Sequence, residues 1–98
     1  MSTNTQSGAR QREAVAEILG GILADQHVLY VKTRSFHWNV TGPQFSVLHA
    51  LFEKQYDALA EAIDETAERI RALGAPSPGS MAEFLKAARL KEHIGRAP

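Results

Sequence analysis

Between Gln11 and Val40 the apolar residues fall at helical intervals. Val15, Ile22, Leu29 and Phe36 lie seven apart, and Ile18, Leu19, Leu23 and Tyr30 widen the stripe. No proline interrupts the run, so it predicts one long helix over 11–40. Residues 1–10 are polar and predict a flexible tail. Gly20 and Gly21 in the middle each cost about 1 kcal/mol against alanine in an exposed helix. They mark either a slight kink or a place where small residues let another helix approach closely.

The break comes at Val40-Thr41-Gly42-Pro43, with Thr41 or Gly42 as cap and Pro43 in the first turn of a new helix. A second long helix is predicted over 44–73, its apolar side marked by Val47, Leu48, Leu51, Phe52, Tyr56, Leu59, Ile63, Ile70 and Leu73. Gly74 stands where a left-handed C-terminal cap belongs, and Pro76 and Pro78 enforce the stop. Arg69 and Arg71 favour the negative end of the helix dipole. Ser80 predicts the cap of a short third helix over 81–91, with Glu83 completing a capping box.

The fold class expected is therefore all-α. Two helices of about 30 residues, each about 45 Å long, make a hairpin. Such a hairpin cannot bury wide apolar stripes on both of its members. The chain needs a partner chain or further helices to complete a bundle.

Composition narrows the function classes. Ninety-eight residues make one small domain, and 11 basic against 11 acidic residues leave a net charge of zero. No global field favours nucleic acid or an anionic membrane. The absence of cysteine excludes disulfides, thiolate zinc sites and cysteine nucleophiles. No unbroken run of about 18 apolar residues occurs, so no membrane span is expected. The polar N-terminus lacks the apolar core of a secretory signal, so the expected location is the cytoplasm.

Candidate chemistry lies between Phe36 and Glu68. His49 and Glu53 are four residues apart and share a helix face, as do Asp64 and Glu68. At about 100° per residue Asp64 lies roughly 60° round the helix from His49. Fifteen residues of axial separation amount to about 22 Å, too far for one ion to bind both pairs of one helix. Two copies packed antiparallel would bring His49 and Glu53 of one opposite Asp64 and Glu68 of the other, at two equivalent sites. His37, just across the break, adds a second imidazole. Two histidines and three carboxylates suit iron, manganese or zinc.

Plainer readings exist for the same residues. Glu53, Asp57, Glu61 and Glu65 form a ladder that suits a solvated helix face. A histidine at a helix end is commonly a cap or a satisfied core residue. His27 and His93 have no comparable acidic partners and read as surface or interface residues. Trp38 reads as packing, with electron donation to an oxidising metal as the alternative, and Tyr56 as core.

The segment from Val15 to Lys91, with FHWNVTGPxFxxLHxLFExQY followed by DxxAERI, resembles the Dps family of ferritin-like mini-ferritins. The resemblance implies a ferritin-like four-helix-bundle subunit, a hollow twelve-subunit shell, and ferroxidase centres at two-fold interfaces. It implies oxidation of Fe(II), commonly by hydrogen peroxide, and storage of ferric mineral. The implied ligands are His37, His49 and Glu53 from one subunit and Asp64 and Glu68 from its neighbour. Family subunits carry two more long helices after the short one, so residues 11–98 correspond to the N-terminal half of such a domain. Truncation of a longer subunit is the expected explanation, ahead of proteolysis or of two hairpins rebuilding a bundle. Many members bind DNA, often through a lysine-rich tail, which would place them at the nucleoid. Here the tail offers only Arg10 and Arg12 against Glu13. Lys86, Arg89, Lys91 and Arg96 read as a solvated basic cluster, so DNA is not the expected partner.

Overall fold

The computed structural model describes residues 2–95, which form α1 (Ser2–Asn39), α2 (Phe45–Ala72) and α3 (Met81–Ala87). Helices α1 and α2 make a hairpin, and α3 packs on α1. The molecule is a rod of 65 × 22 × 16 Å.

Packing selects one edge of the broad apolar stripe of α1, the edge that carries Leu19, Leu23 and Tyr30. Ala16 and Leu23 are buried in one cluster with Ala24, Ile70 and Phe84, and Leu19, Ile63, Ala67 and Leu73 pack around it. Further along, Tyr30 meets Tyr56 edge-on and His37 stacks on His49. The seam thus runs through Ala16, Leu23, Tyr30 and His37, each one residue after a member of the predicted stripe. One residue is about 100° of rotation. Val15, Ile18, Ile22 and Leu29 are consequently exposed, at 46%, 63%, 44% and 42%. The hairpin leaves unburied the surface that a bundle would cover, as the breadth of the stripe requires. Phe36 differs, lying against Phe52 and the edge of His93.

An 18-residue window of α1 reaches a mean hydropathy of 1.3, so length and composition alone would let this helix cross a membrane. The lack of an unbroken apolar run therefore does not exclude a span. A bundle helix contacted on several sides has the same composition, and α1 already packs against both other helices.

Helix ends follow local chemistry. The segment expected as a tail, 1–10, continues α1 outward from Ser2, while Met1 lies outside the described residues. Extending a formed helix costs far less than nucleating one, and no proline stands in the way. Neither Thr41 nor Gly42 caps α2. Gln44 is its N-cap without a side-chain bond, and Gly42 supplies a φ of +100° that turns the chain. At the other end Gly74, with φ of +89°, donates to Arg71 O at 2.9 Å, and Ala75 N reaches Ile70 O at 3.4 Å. These bonds form the Schellman closure expected of that glycine.

The capping box of α3 forms as predicted, Ser80 accepting from Glu83 N and the Glu83 carboxylate accepting from Ser80 N. The helix nevertheless ends at Ala87 and does not reach Lys91. Asp25 Oδ1 on α1 accepts from the amides of Arg89 and Leu90 at 2.6 and 2.9 Å. Those contacts draw the chain out of the helix at Ala88, whose ψ is 142°. A methyl group on Gly20 would touch Pro78 Cγ at 3.8 Å, one on Gly21 would meet nothing within 4 Å, and α1 runs through both glycines without a break. Among the described residues, the loop residue Pro78 approaches Gly20.

Candidate metal centre

The short connection over 40–44 brings the last turn of α1 against the first turn of α2. His37 belongs to the former and His49 to the latter. His37 is buried at 6% exposure and His49 is half-buried. Their imidazoles stack with centroids 3.7 Å apart and planes inclined by 21°. Phe45 covers the stack on the His49 ring at 4.9 Å, and Tyr56 presents an edge contact to His37 at 5.2 Å.

The hydrogen bonds of the pair are reciprocal. His37 Nδ1 donates to the His49 carbonyl at 2.7 Å, and His49 Nδ1 donates to the His37 carbonyl at 2.8 Å. The His37 carbonyl is among the last four of α1, which have no acceptor role within the helix, so His49 also caps α1. The capping bonds of these histidines are compatible with a ligand role. The backbone bonds occupy Nδ1 only, fix the tautomer, and leave an electron pair on each Nε2.

Glu53 completes the set. Its Oε1 lies 4.0 Å from His37 Nε2, beyond a hydrogen bond, and its side chain is 55% exposed. One ligand atom from each of His37, His49 and Glu53 falls within a sphere of mutual distances under 4.8 Å. Metal-to-ligand distances of about 2.0–2.2 Å for nitrogen and oxygen require only a small swing of the exposed carboxylate. Two imidazoles and one carboxylate fit a borderline divalent ion such as iron or zinc.

Asp64 and Glu68 stand apart from this group. Both are exposed on α2, one helical turn from each other, and they enter no metal-capable cluster among the described residues. Within one chain the structure brings together three of the five sequence-derived candidates. The remaining two lie about 22 Å further along the same helix.

Other residues are placed differently from the sequence reading. Trp38 is 62% exposed, because the residue after His37 on the helix points outward. It rests under Arg34, whose guanidinium carbon is 4.9 Å from its ring. Tyr56 is half-buried as expected, but it also borders His37, which places it beside the centre. His27 is an interface residue, stacked on Phe84 at 3.8 Å and held by its Nδ1 on the Leu23 carbonyl at 3.0 Å. The cluster of Arg34 with Tyr30 and Tyr56 escaped the sequence reading, although Tyr30 and Arg34 stand at the four-residue spacing that lets them bond. Lys86, Arg89 and Lys91 are exposed, and Arg96 lies outside the described residues.

Residues 16–97 match the model of the ferritin-like domain. A low temperature-induced protein of Nostoc is 51% identical over 88 residues, covering 90% of this chain and 49% of that one. The DNA protection during starvation protein of Porphyromonas gingivalis is 48% identical over 83 residues, covering 85% and 52%. The crystal structure of the Dps protein of Vibrio cholerae superposes with a TM-score of 0.87 at 44% identity, covering 89% of this chain and 55% of that one. That protein is described as a member of a superfamily of ferritin-like diiron-carboxylate proteins. The chain spans about half the length of the relatives it matches. By the domain match, the relatives and the shared helical architecture, it belongs to the ferritin-like proteins of the Dps family.

Proposed function

We propose that this protein oxidises Fe(II) for iron storage and protection from oxidative stress, at a centre shared by two copies of the chain. The observation that carries the reading is the reciprocal locking of His37 and His49, which holds two Nε2 electron pairs beside the Glu53 carboxylate. The Dps relatives and the diiron-carboxylate description of the Vibrio cholerae protein support it.

In this reading His37 and His49 bind Fe(II) through Nε2, and Glu53 closes on it from one chain. Asp64 and Glu68 arrive from the neighbouring chain across a two-fold axis. The carboxylates offset the charge gained as Fe(II) becomes Fe(III), so they favour the product over the substrate. Hydrogen peroxide takes one electron from each of two Fe(II) ions as its O–O bond breaks. With two water molecules the balance is two ferric oxyhydroxide units and four protons. Assembly of the two-fold pairs into a twelve-subunit shell, in the cytoplasm, belongs to the same proposal. DNA, only weakly supported by the sequence, is not assigned as a partner in this reading.

The test is Fe(II) oxidation by peroxide, followed by absorbance in the near ultraviolet. Asp64→Asn should slow it at least about tenfold, an effect the size of losing one charged partner from a metal site. An unchanged rate in that variant removes Asp64 from the centre. Zinc is the rival occupant, because two imidazoles and a carboxylate suit it equally. Zinc binding with no Fe(II) oxidation by the wild-type protein would select a non-redox role.

A further inference from the structure

Arg34 stands one helical turn before His37, and the reaction above does not use it. Aromatic faces hold its guanidinium, whose carbon is 5.5 Å from the Tyr30 ring, 5.2 Å from Tyr56 and 4.9 Å from Trp38. Its Nη1 donates to the Tyr30 hydroxyl at 3.0 Å, and its Nε is buried without a hydrogen-bond partner. Tyr56 presents an edge to His37 at 5.2 Å, so the cation lies beside the centre. Among the described residues the only ion pair joins His37 to Glu53, and no carboxylate answers Arg34. A half-buried guanidinium with donors to spare and no acid is incomplete within one chain.

The shared centre has the opposite deficit. Before a metal ion binds, Glu53 of one copy and Asp64 and Glu68 of the other would stand together without a fixed cation. Their mutual repulsion opposes the association that assembles the site. The helix seam decides which of these acids Arg34 can reach. Tyr30 meets Tyr56 and His37 meets His49, an equal step along two antiparallel helices, so Arg34 stands level with position 52 of α2. In the two-fold packing that sets Glu53 opposite Asp64, position 52 faces position 65. Round the helix, Glu65 is turned about 120° from Glu53, Glu61 about 80° and Glu68 about 60°, but Asp64 only about 20°. Asp64 is thus the acid that points across at the level of Arg34.

We propose that Arg34 is the counter-ion of Asp64 of the partner subunit until Fe(II) arrives and displaces it, a role that rests on the shared iron centre proposed above. The ion pair holds the two copies together while the site waits for metal. A divalent ion then takes the carboxylate, and the guanidinium rests on the aromatic faces where this structure shows it. Arginine and metal compete for one carboxylate, so the pair strengthens the metal-free dimer and weakens metal binding.

The experiment measures two quantities on the purified chain. Sedimentation gives the dimer dissociation constant without metal, and competition with a chromogenic chelator gives the affinity of the dimer for zinc, a non-redox probe. Arg34→Gln should weaken the metal-free dimer about threefold to fivefold, the size of one ion pair. The same variant should bind zinc about tenfold more tightly, the lower range for altering a group beside metal ligands. Arg34→Lys, which keeps the charge, should restore most of the wild-type values. A purely structural hold on the tyrosines predicts weaker dimer and weaker zinc binding together. Arg34→Asp combined with Asp64→Arg should recover the metal-free dimer that each change alone weakens. Zinc affinity unchanged or lowered in Arg34→Gln, or a double reversal no better than the single ones, overturns the pairing and leaves the shared centre standing. A wild-type chain that stays monomeric with and without zinc strikes the shared centre itself.

Discussion

At the amino-terminal end of α2, His49 is stacked between Phe45 and His37, and its Nδ1 is tied to the end of α1. Near the other end, Asp64 and Glu68 stand exposed, one turn apart. The first pair of elements spends its local contacts on orienting ligand atoms. The second leaves two carboxylates in water, where ionised groups cost nothing to keep. A metal centre built from both ends therefore has one half organised by the fold of a single chain and one half organised only by association.

The largest effect should come from the organised half. Replacing His37 with alanine removes an Nε2 donor and also leaves the His49 carbonyl without its imidazole partner. Metal affinity measured by titration should fall about 100-fold or more, the upper range for disturbing a ligand and its support. Chemical denaturation should show a loss of about 1–3 kcal/mol from the broken buried hydrogen bond. A His37→Ala chain with unaltered stability would mean that the reciprocal bonds do not organise this end.

At the exposed end the balance reverses. Asp64→Asn should leave the stability of the isolated chain within about 0.5 kcal/mol, as expected for a surface site. Denaturation of the variant and the wild type under the same conditions compares the two directly. A large destabilisation would show that Asp64 has a partner within its own chain, and the contrast between the ends would collapse.

The smallest effect concerns α3, whose Phe84 packs in one cluster with Ile70 near the carboxylate end. The Ser80 hydroxyl, with the Gly79 and Ser80 amides, holds the Glu83 carboxyl below its ordinary value of 4.5. A carboxyl with a depressed folded value stabilises its surroundings above the unfolded value and loses that effect as pH falls through the folded one. Amide hydrogen exchange at the start of α3 should accelerate, relative to intrinsic rates, as pH drops below 4.5. Ser80→Ala, costing about 1 kcal/mol as a lost cap, should show the faster exchange at neutral pH as well.

The closeness of His37, His49 and Glu53 was more legible than the packing around them. His37, His49 and Glu53 were legible because a short break and a four-residue step are local geometry, fixed by the backbone. The Gly74 closure and the Ser80–Glu83 box were legible for the same reason. The seam was not. Val15, Ile22 and Leu29 form a more apolar series than Ala16, Leu23, Tyr30 and His37, yet the second series faces α2. Periodicity measures how wide an apolar stripe is, not which part of it a chain covers for itself. The early end of α3 was out of reach because Asp25, which takes the Arg89 and Leu90 amides, lies more than sixty residues away.

The shared centre is tested most directly by mixing two defective chains. One carries His37→Ala and His49→Ala, and the other carries Asp64→Asn and Glu68→Gln. Each alone should be inactive in Fe(II) oxidation. Dissociated together in equal amounts and reassembled, they should regain roughly one quarter of wild-type activity. Half of the random two-fold pairs are mixed, and each mixed pair has one intact centre of two. Recovery at that level, absent when the chains are combined without dissociation, is the result expected of a centre that belongs to two chains. No recovery, or full activity of the Asp64→Asn, Glu68→Gln chain by itself, would contradict it.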